Sequence, residues 1–216
     1  MSTIRTADGP WRETGFLILA GGHSRRFGEP KAFLQFEGRN LIEHVVRPLN
    51  GAPEVFISCK TGEGELADLF PRARVVRDRE AVKGPMAGLL GALPLIRSEY
   101  VVVLPCDSPR LRTEVIGLLV ERARERSAAV PRWPAGHIEP LTAVYRTREM
   151  EAAVQRAWED GEMKLSRAIE RLSDVVYVPT QEIGGVDPEL DSFININAPS
   201  DLEGITGGSS PPRGRR

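Results

Sequence analysis

Short apolar or β-branched runs alternate along this chain with longer stretches in which apolar residues recur at helical spacing, and that alternation predicts an α/β fold. The first run, residues 16–20, leads into a glycine-rich loop. Over residues 40–49, Leu41, Ile42, Val45, Val46 and Leu49 fall on one helical face, with Asn40 placed as the N-cap. A second strand is predicted over 55–58, followed by a short polar helix, and a third over 73–77. Gly84-Pro85 then opens a helix on which Met86, Leu89, Leu90 and Leu93 line up, since proline suits the first helical turn. The fourth run, 100–104, has the unbroken Val-Val-Val character of a strand buried on both faces, as in a parallel sheet between helix layers.

After a charged amphipathic helix over 113–126 the order becomes less regular. Strands are expected over 128–130, 141–145, 175–178 and 193–196, and helices over 148–158 and 164–172. Residues 1–14 read as an N-terminal extension, 15–205 as a single domain and 206–216 as a disordered basic tail, because SSPPRGRR has no apolar residue to anchor it. No internal repeat is visible.

Composition narrows the function more than the fold. The 216 residues suffice for one domain with its own core, and 29 basic against 30 acidic side chains leave a formal charge of −1. That balance gives no whole-chain electrostatic reason to bind nucleic acid or an anionic membrane, and leaves small acidic ligands to be held by local charge. With only Cys59 and Cys106, neither a disulfide framework nor a cysteine-rich metal site can be built, so both thiols read as small core residues in a reducing compartment. No apolar run approaches the roughly 18 residues of a membrane helix, and MSTIRTADGPWRETG lacks the apolar stretch of a signal peptide. A soluble cytoplasmic protein is expected.

In a parallel sheet, ligands bind beyond the carboxyl ends of the strands, and the unusual residues sit there. The first strand runs into Leu19-Ala20-Gly21-Gly22-His23-Ser24-Arg25-Arg26-Phe27-Gly28-Glu29-Pro30-Lys31. Two adjacent glycines permit close backbone approach, and N–H groups with Lys and Arg suit a polyphosphate. The spacing matches neither the Walker nor the dinucleotide pattern, and a tight solvated turn with surface charges is the alternative. Strands three and four end at Asp78 and Asp107, placing two carboxylates on that same edge. A carboxylate there suits Mg²⁺, which completes its shell with phosphate oxygens and water, although helix capping explains either residue alone. Gly84-Pro85-Met86-Ala87-Gly88 brings a helix N-terminus toward the same crevice, or is a plain loop-to-helix junction. His23, His44 and His137 lack metal-ligand spacing, and Cys106 has no histidine partner to make it a nucleophile. Asn195 and Asn197 alternate on one face of a predicted strand, facing either a polar ligand or solvent.

Taken in order, Leu19-Ala20-Gly21-Gly22-x-Ser24-x-Arg26-x-Gly28-x-x-Lys31 resembles the N-terminal signature of nucleoside-triphosphate transferases, particularly the molybdenum cofactor guanylyltransferases of the MobA-like nucleotidyltransferase family. Asp78 with Gly84-Pro85-Met86-Ala87-Gly88, then Pro105-Cys106-Asp107, Glu139-Pro140-Leu141 and Asn195-x-Asn197-x-Pro199-x-Asp201-Leu202 resemble its later blocks, so the likeness spans 16–202. Two departures are Phe27, where the family usually has Met, and Ser58-Cys59-Lys60 in place of an Asn-containing stretch.

The resemblance implies a Rossmann-like three-layer α/β fold of the nucleotide-diphospho-sugar-transferase type with a mostly parallel sheet. It implies transfer of GMP from GTP to the phosphate of molybdopterin, with Mg²⁺ required, and transient contacts with cofactor-delivering or molybdoenzyme-maturation proteins. By the same resemblance, Lys31, Asp107 and Arg26 act in catalysis. Leu19, Ala20, Gly21, Gly22, Arg25, Lys31, Asp78 and Asp107 bind nucleotide, Asp107 binds the metal, and Gly84, Pro85, Asn195 and Asn197 meet the substrates. CTP-dependent transfer to molybdopterin, transfer to another small phosphate and a non-catalytic nucleotide sensor are the competing readings. Retention of both Lys31 and Asp107 speaks against a sensor, which needs phosphate donors but no metal carboxylate.

Overall fold

The structure is a computed structural model that describes residues 11, 13–21, 30–196 and 201. Its strands are β1 (Thr14–Leu19), β2 (Gln35–Phe36), β3 (Arg39–Asn40), β4 (Glu54–Cys59), β5 (Arg74–Arg77), β6 (Tyr100–Pro105), β7 (Ala128–Arg132), β8 (Ala143–Arg146) and β9 (Val175–Pro179). The helices are α1 (Leu41–Val46), α2 (Glu63–Leu69), α3 (Pro85–Ala92), α4 (Thr113–Ala123), α5 (Thr147–Glu159), α6 (Leu165–Ile169) and α7 (Thr180–Ile183). Seven strands form one sheet in the order β5-β4-β1-β6-β8-β7-β9, while β2 and β3 pair as a separate antiparallel ribbon. Only β8 runs against its neighbours; β1 pairs parallel with β4 and β6, β4 with β5, and β7 with β9.

Strand alternation separates two apolar cores. Phe16, Ile18, Val102 and Leu104 face one layer with Ile42 and Val45 of α1, Leu66 of α2, Leu119 of α4 and Ile183 of α7. Leu17, Val101 and Val103 face the other, with Met86 and Leu89 of α3, Met150 and Val154 of α5 and Ala168 of α6. Both β1 and β6 are therefore apolar at every core position, which is why their periodicity reads as a continuous run and not as alternation. The three-layer, mostly parallel arrangement expected from the sequence is the one observed.

Several boundaries differ for identifiable reasons. Residues 193–196 are not a strand: a 3₁₀ turn, Asp191–Phe193, is followed by irregular chain whose Ile196 N–H donates to the Asp107 carbonyl at 2.9 Å. Asn195 therefore does not lie on a strand face as expected, and Asn197 is outside the described residues. The helix expected over 40–49 stops at Val46 and tightens to 3₁₀ at Arg47–Leu49, because Pro48 has no N–H to donate. Its start matches: Asn40 and Glu43 form a reciprocal capping box, with the Asn40 N–H donating to Glu43 Oε2 at 3.0 Å. Helix α4 ends at Ala123, with Glu125 at φ +60° just beyond, and α6 closes at Ile169 instead of 172. The tail at 206–216 and most of the N-terminal extension lie outside the described residues.

Candidate active site

The chain order reverses direction across the sheet between β1 and β6, since β4 and β5 lie on one side of β1 and β6 on the other. Such a switch point opens a crevice beyond the carboxyl ends of the strands. Three loop starts are tied together there by backbone bonds that extend the ladders. Ala20 N–H donates to Ser58 C=O at 2.7 Å, Asp78 N–H to Cys59 C=O at 2.8 Å, and Cys106 N–H to Leu19 C=O at 3.2 Å. The 3₁₀ turn Lys31–Phe33 then returns the chain to this edge, where Lys31 Nζ donates to Asp107 Oδ2 at 2.7 Å. Each of these two side chains is 15% exposed, so the pair is largely shielded yet reachable from solvent. Sequence spacing alone places both residues at this edge; the direct ion pair across 76 residues is what the structure adds.

On the other flank, Gly21 lies directly against the Asp78 carboxylate, and a methyl group there would collide with Asp78 Oδ2. Gly88 of α3 lies in the same way against Ser58 Oγ and the Leu19 side chain. Glycine at both positions lets backbone approach where a side chain would fill the crevice. Among the described residues the Ser58 hydroxyl and Asp78 Oδ1 are both buried with no hydrogen-bond partner of good geometry. Buried polar groups left unpaired cost free energy, and these two stand beside each other at the loop starts of β4 and β5. Burial pushes the Asp78 carboxyl above its usual range, while the nearby Ser58 hydroxyl and Lys60 ammonium pull it back. Gly84, at φ +71°, and Pro85 form the start of α3 on this flank, where Pro85 has no N–H to leave unpaired and the Ala87 N–H donates to the Gly84 carbonyl at 3.1 Å.

The opposite side carries Asn195, whose Oδ1 accepts a hydrogen bond from Ser108 Oγ at 2.6 Å, next to Asp107. Beyond it stands a cluster that residue-by-residue reading overlooks. Trp133 Nε1 donates to Glu139 Oε1 at 2.6 Å, His137 stacks on Trp133 with ring centroids 5.3 Å apart, and Phe193 meets the same indole edge-on at 5.9 Å. Glu139-Pro140-Leu141 is visible as a block, but nothing in its spacing marks the glutamate as partner of a tryptophan six residues back. Of the other expected site residues, Leu19 and Ala20 sit at the exit of β1, whereas Gly22, Arg25, Arg26 and Asn197 lie outside the described residues.

Neither cysteine fits a chemical role. Both are buried, with burial pushing the Cys59 thiol up to about 11 and the Cys106 thiol higher still. His44 packs against Phe36 and bonds its carbonyl at 2.9 Å. Among the described residues no group of three or more His, Cys, Asp or Glu side chains forms a metal cage. A lone carboxylate with one oxygen already charge-paired is nevertheless a donor set that fits Mg²⁺, which needs few protein ligands when phosphate oxygens supply the rest. No helix among the described residues is long and apolar enough to cross a membrane.

The arrangement has known counterparts. The family model described as MobA-like NTP transferase domain matches residues 16–175. A probable molybdenum cofactor guanylyltransferase from Methanosarcina mazei is 34% identical over 200 residues, covering 88% of this chain and 89% of that one. One from Bacillus licheniformis is 34% identical over 191 residues, covering 88% and 94%. The crystal structure of molybdopterin-guanine dinucleotide biosynthesis protein A from Archaeoglobus fulgidus superposes with a TM-score of 0.74 at 30% identity over 88% of this chain and 95% of that one. A 2-C-methyl-D-erythritol 4-phosphate cytidylyltransferase from Thermus thermophilus shares the fold, with a TM-score of 0.63 at 21% identity over 88% and 95%. By the extent of these matches the chain belongs to the MobA-like NTP transferase family, and with it to the nucleotidyltransferases.

Proposed function

We propose that this protein transfers GMP from GTP to the phosphate of molybdopterin, giving molybdopterin guanine dinucleotide and pyrophosphate. The names of its relatives support the substrates, and the Lys31–Asp107 pair at the switch point is the observation that carries the chemistry. A phosphate monoester has a second pKa near 6, so the attacking oxygen is already an anion at neutral pH and no general base is needed. An oxygen of the acceptor phosphate bonds to the α-phosphorus of GTP as the bond from that phosphorus to the bridging oxygen breaks, and pyrophosphate leaves with those electrons. The barrier is one anion approaching another.

Lys31 places an ammonium where that repulsion is greatest, and the backbone at Leu19, Ala20 and Gly21 lets the phosphates approach the loop closely. Asp107 is the residue that would hold Mg²⁺, which supplies charge neutralisation on the phosphates when bound. Asp107 also keeps the Lys31 ammonium aimed into the crevice. Asp78 and Ser58, whose buried polar atoms on the β4–β5 flank have no partner among the described residues, are suited to hydrogen-bond the nucleoside. Arg25, Arg26 and Gly22 belong to the loop by sequence and are proposed to complete its phosphate contacts. Titrating GTP, CTP and ATP by calorimetry, each with Mg²⁺, tests the reading. GTP is expected to bind tightest, and tighter binding of CTP would assign the protein to cytidylyl transfer.

A further inference from the structure

We propose that Glu139, held in place by Trp133, reads the amino-pyrimidinone edge of the acceptor's pterin ring; this rests on the reading that the acceptor is molybdopterin. Glu139 is half-buried, and burial raises its carboxyl above the usual range. Its side chain takes one hydrogen bond, from the Trp133 indole to Oε1, and no lysine or arginine pairs with it among the described residues. A carboxylate shielded from water without a cation is costly to keep ionised unless something else donates to it. The two oxygens together offer about four acceptor sites, of which one is used among the described residues.

Its position follows from the chain. Glu139 and Trp133 belong to the connection between β7 and β8, at the exit of β7, which runs parallel to β6 two places away in the sheet. Phe193 packs on Trp133, Asn195 accepts from Ser108, and Ile196 donates to the Asp107 carbonyl. Phe193, which packs on Trp133, and Ile196, which bonds Asp107 at the end of β6, are thus joined by three residues of chain, about 10 Å at most. A pterin whose phosphate lies at Lys31 and Asp107 would extend its ring toward Trp133 and Glu139, on the β8–β7 side of β6. The pyrimidinone half of a pterin presents the N3–H and the 2-amino group side by side, two donors matched to a carboxylate, and the exposed His137 stacked on Trp133 adds a flat aromatic face beside it. Guanine carries the same donor pair, but the Asp78 flank lies on the other side of β1 from this cluster.

The probe is 6-hydroxymethylpterin monophosphate set against its lumazine counterpart, in which the 2-amino group is replaced by a carbonyl. Binding of each, and of GTP, is measured by calorimetry on the whole protein and on Glu139→Gln. Wild type is expected to prefer the pterin at least tenfold. Glutamine keeps an oxygen toward Trp133 and turns its amide N–H₂ to the ligand, so the preference should collapse or invert while GTP affinity and melting temperature stay put. A role confined to bracing the hairpin would not move that ratio. Equal binding of the two probes by wild type, a ratio unchanged in the variant, or a loss confined to GTP overturns the proposal, and the wild-type ratio decides even if the variant does not fold. Failure of GMP transfer to molybdopterin in a turnover assay, with the pterin preference intact, faults the assigned reaction and leaves this recognition standing.

Discussion

Individual side chains at the sheet edge are buried at a cost to the ligand-free protein. Asp78 shows this most clearly, because burial raises its carboxyl while Oδ1 finds no donor among the described residues. A carboxyl raised in the folded state leaves stability undiminished below the unfolded carboxyl range and lowers it as pH climbs through the folded value. Asp78→Asn is therefore expected to raise the melting temperature of the ligand-free protein at pH 7. The gain should vanish in a scan below the ordinary carboxyl range, and GTP binding should weaken at both. An unchanged melting temperature at pH 7 would mean the carboxylate is solvated or paired in solution. Lys31→Ala removes the ammonium from the crevice and is expected to cut turnover about 100-fold, the usual effect of deleting one preorganised donor. Because Lys31 stands in a turn and not in a core, its unfolding midpoint in urea should stay close to wild type.

Elements that bury a full face are the ones readable from sequence. β1, β4 and β6 appear as apolar runs because both faces of the sheet are covered, α5 because its buried residues repeat at helical spacing, and α3, buried nearly all round, because Gly84-Pro85 marks its start and its large apolar residues share one face. The β2–β3 ribbon and α7 escape notice, since two-residue strands and a four-residue helix have no period to detect. The stretch before Ile196 imitates a strand by alternating Asn with Ile, yet Ile196 is buried with Leu34, Phe36 and Leu41 in a small cluster beside the sheet and not in it. At the site, Lys31, Asp78 and Asp107 are legible because each follows a strand or loop signal. The Trp133–Glu139 bond is not, because it depends on how the β7–β8 connection closes on itself. Leu17, fully buried in the central strand, gives a test of the element assignment: Leu17→Ala should cost about 2–5 kcal/mol in a urea titration with activity per folded molecule retained. A cost below about 1 kcal/mol would place Leu17 outside a packed core.

At the scale of the molecule, one sheet carries two chemical halves that meet at β1 and β6. The β4–β5 side offers Gly21, Ser58, Asp78 and the start of α3, while the β8–β7–β9 side offers Asn195, Trp133 and Glu139. With residues 15–205 proposed as a single domain, a nucleotide bound on one half should stabilise the whole. GTP with Mg²⁺ at 100 times its dissociation constant adds about 2.7 kcal/mol. That corresponds to a rise in melting temperature of about 5–10 °C for a chain of this size, and GTP without metal should give less. The Lys31–Asp107 pair is proposed to neutralise charge at the junction of the halves. Pyrophosphate release from GTP and molybdopterin, followed across a Mg²⁺ series for wild type and Asp107→Asn, tests it most directly. Asparagine keeps the shape and removes the charge, so turnover should fall at least about 100-fold with the Mg²⁺ dependence of GTP binding lost and the ligand-free melting temperature little changed. An Asp107→Asn protein that releases pyrophosphate at the wild-type rate with the wild-type response to Mg²⁺ would contradict the account.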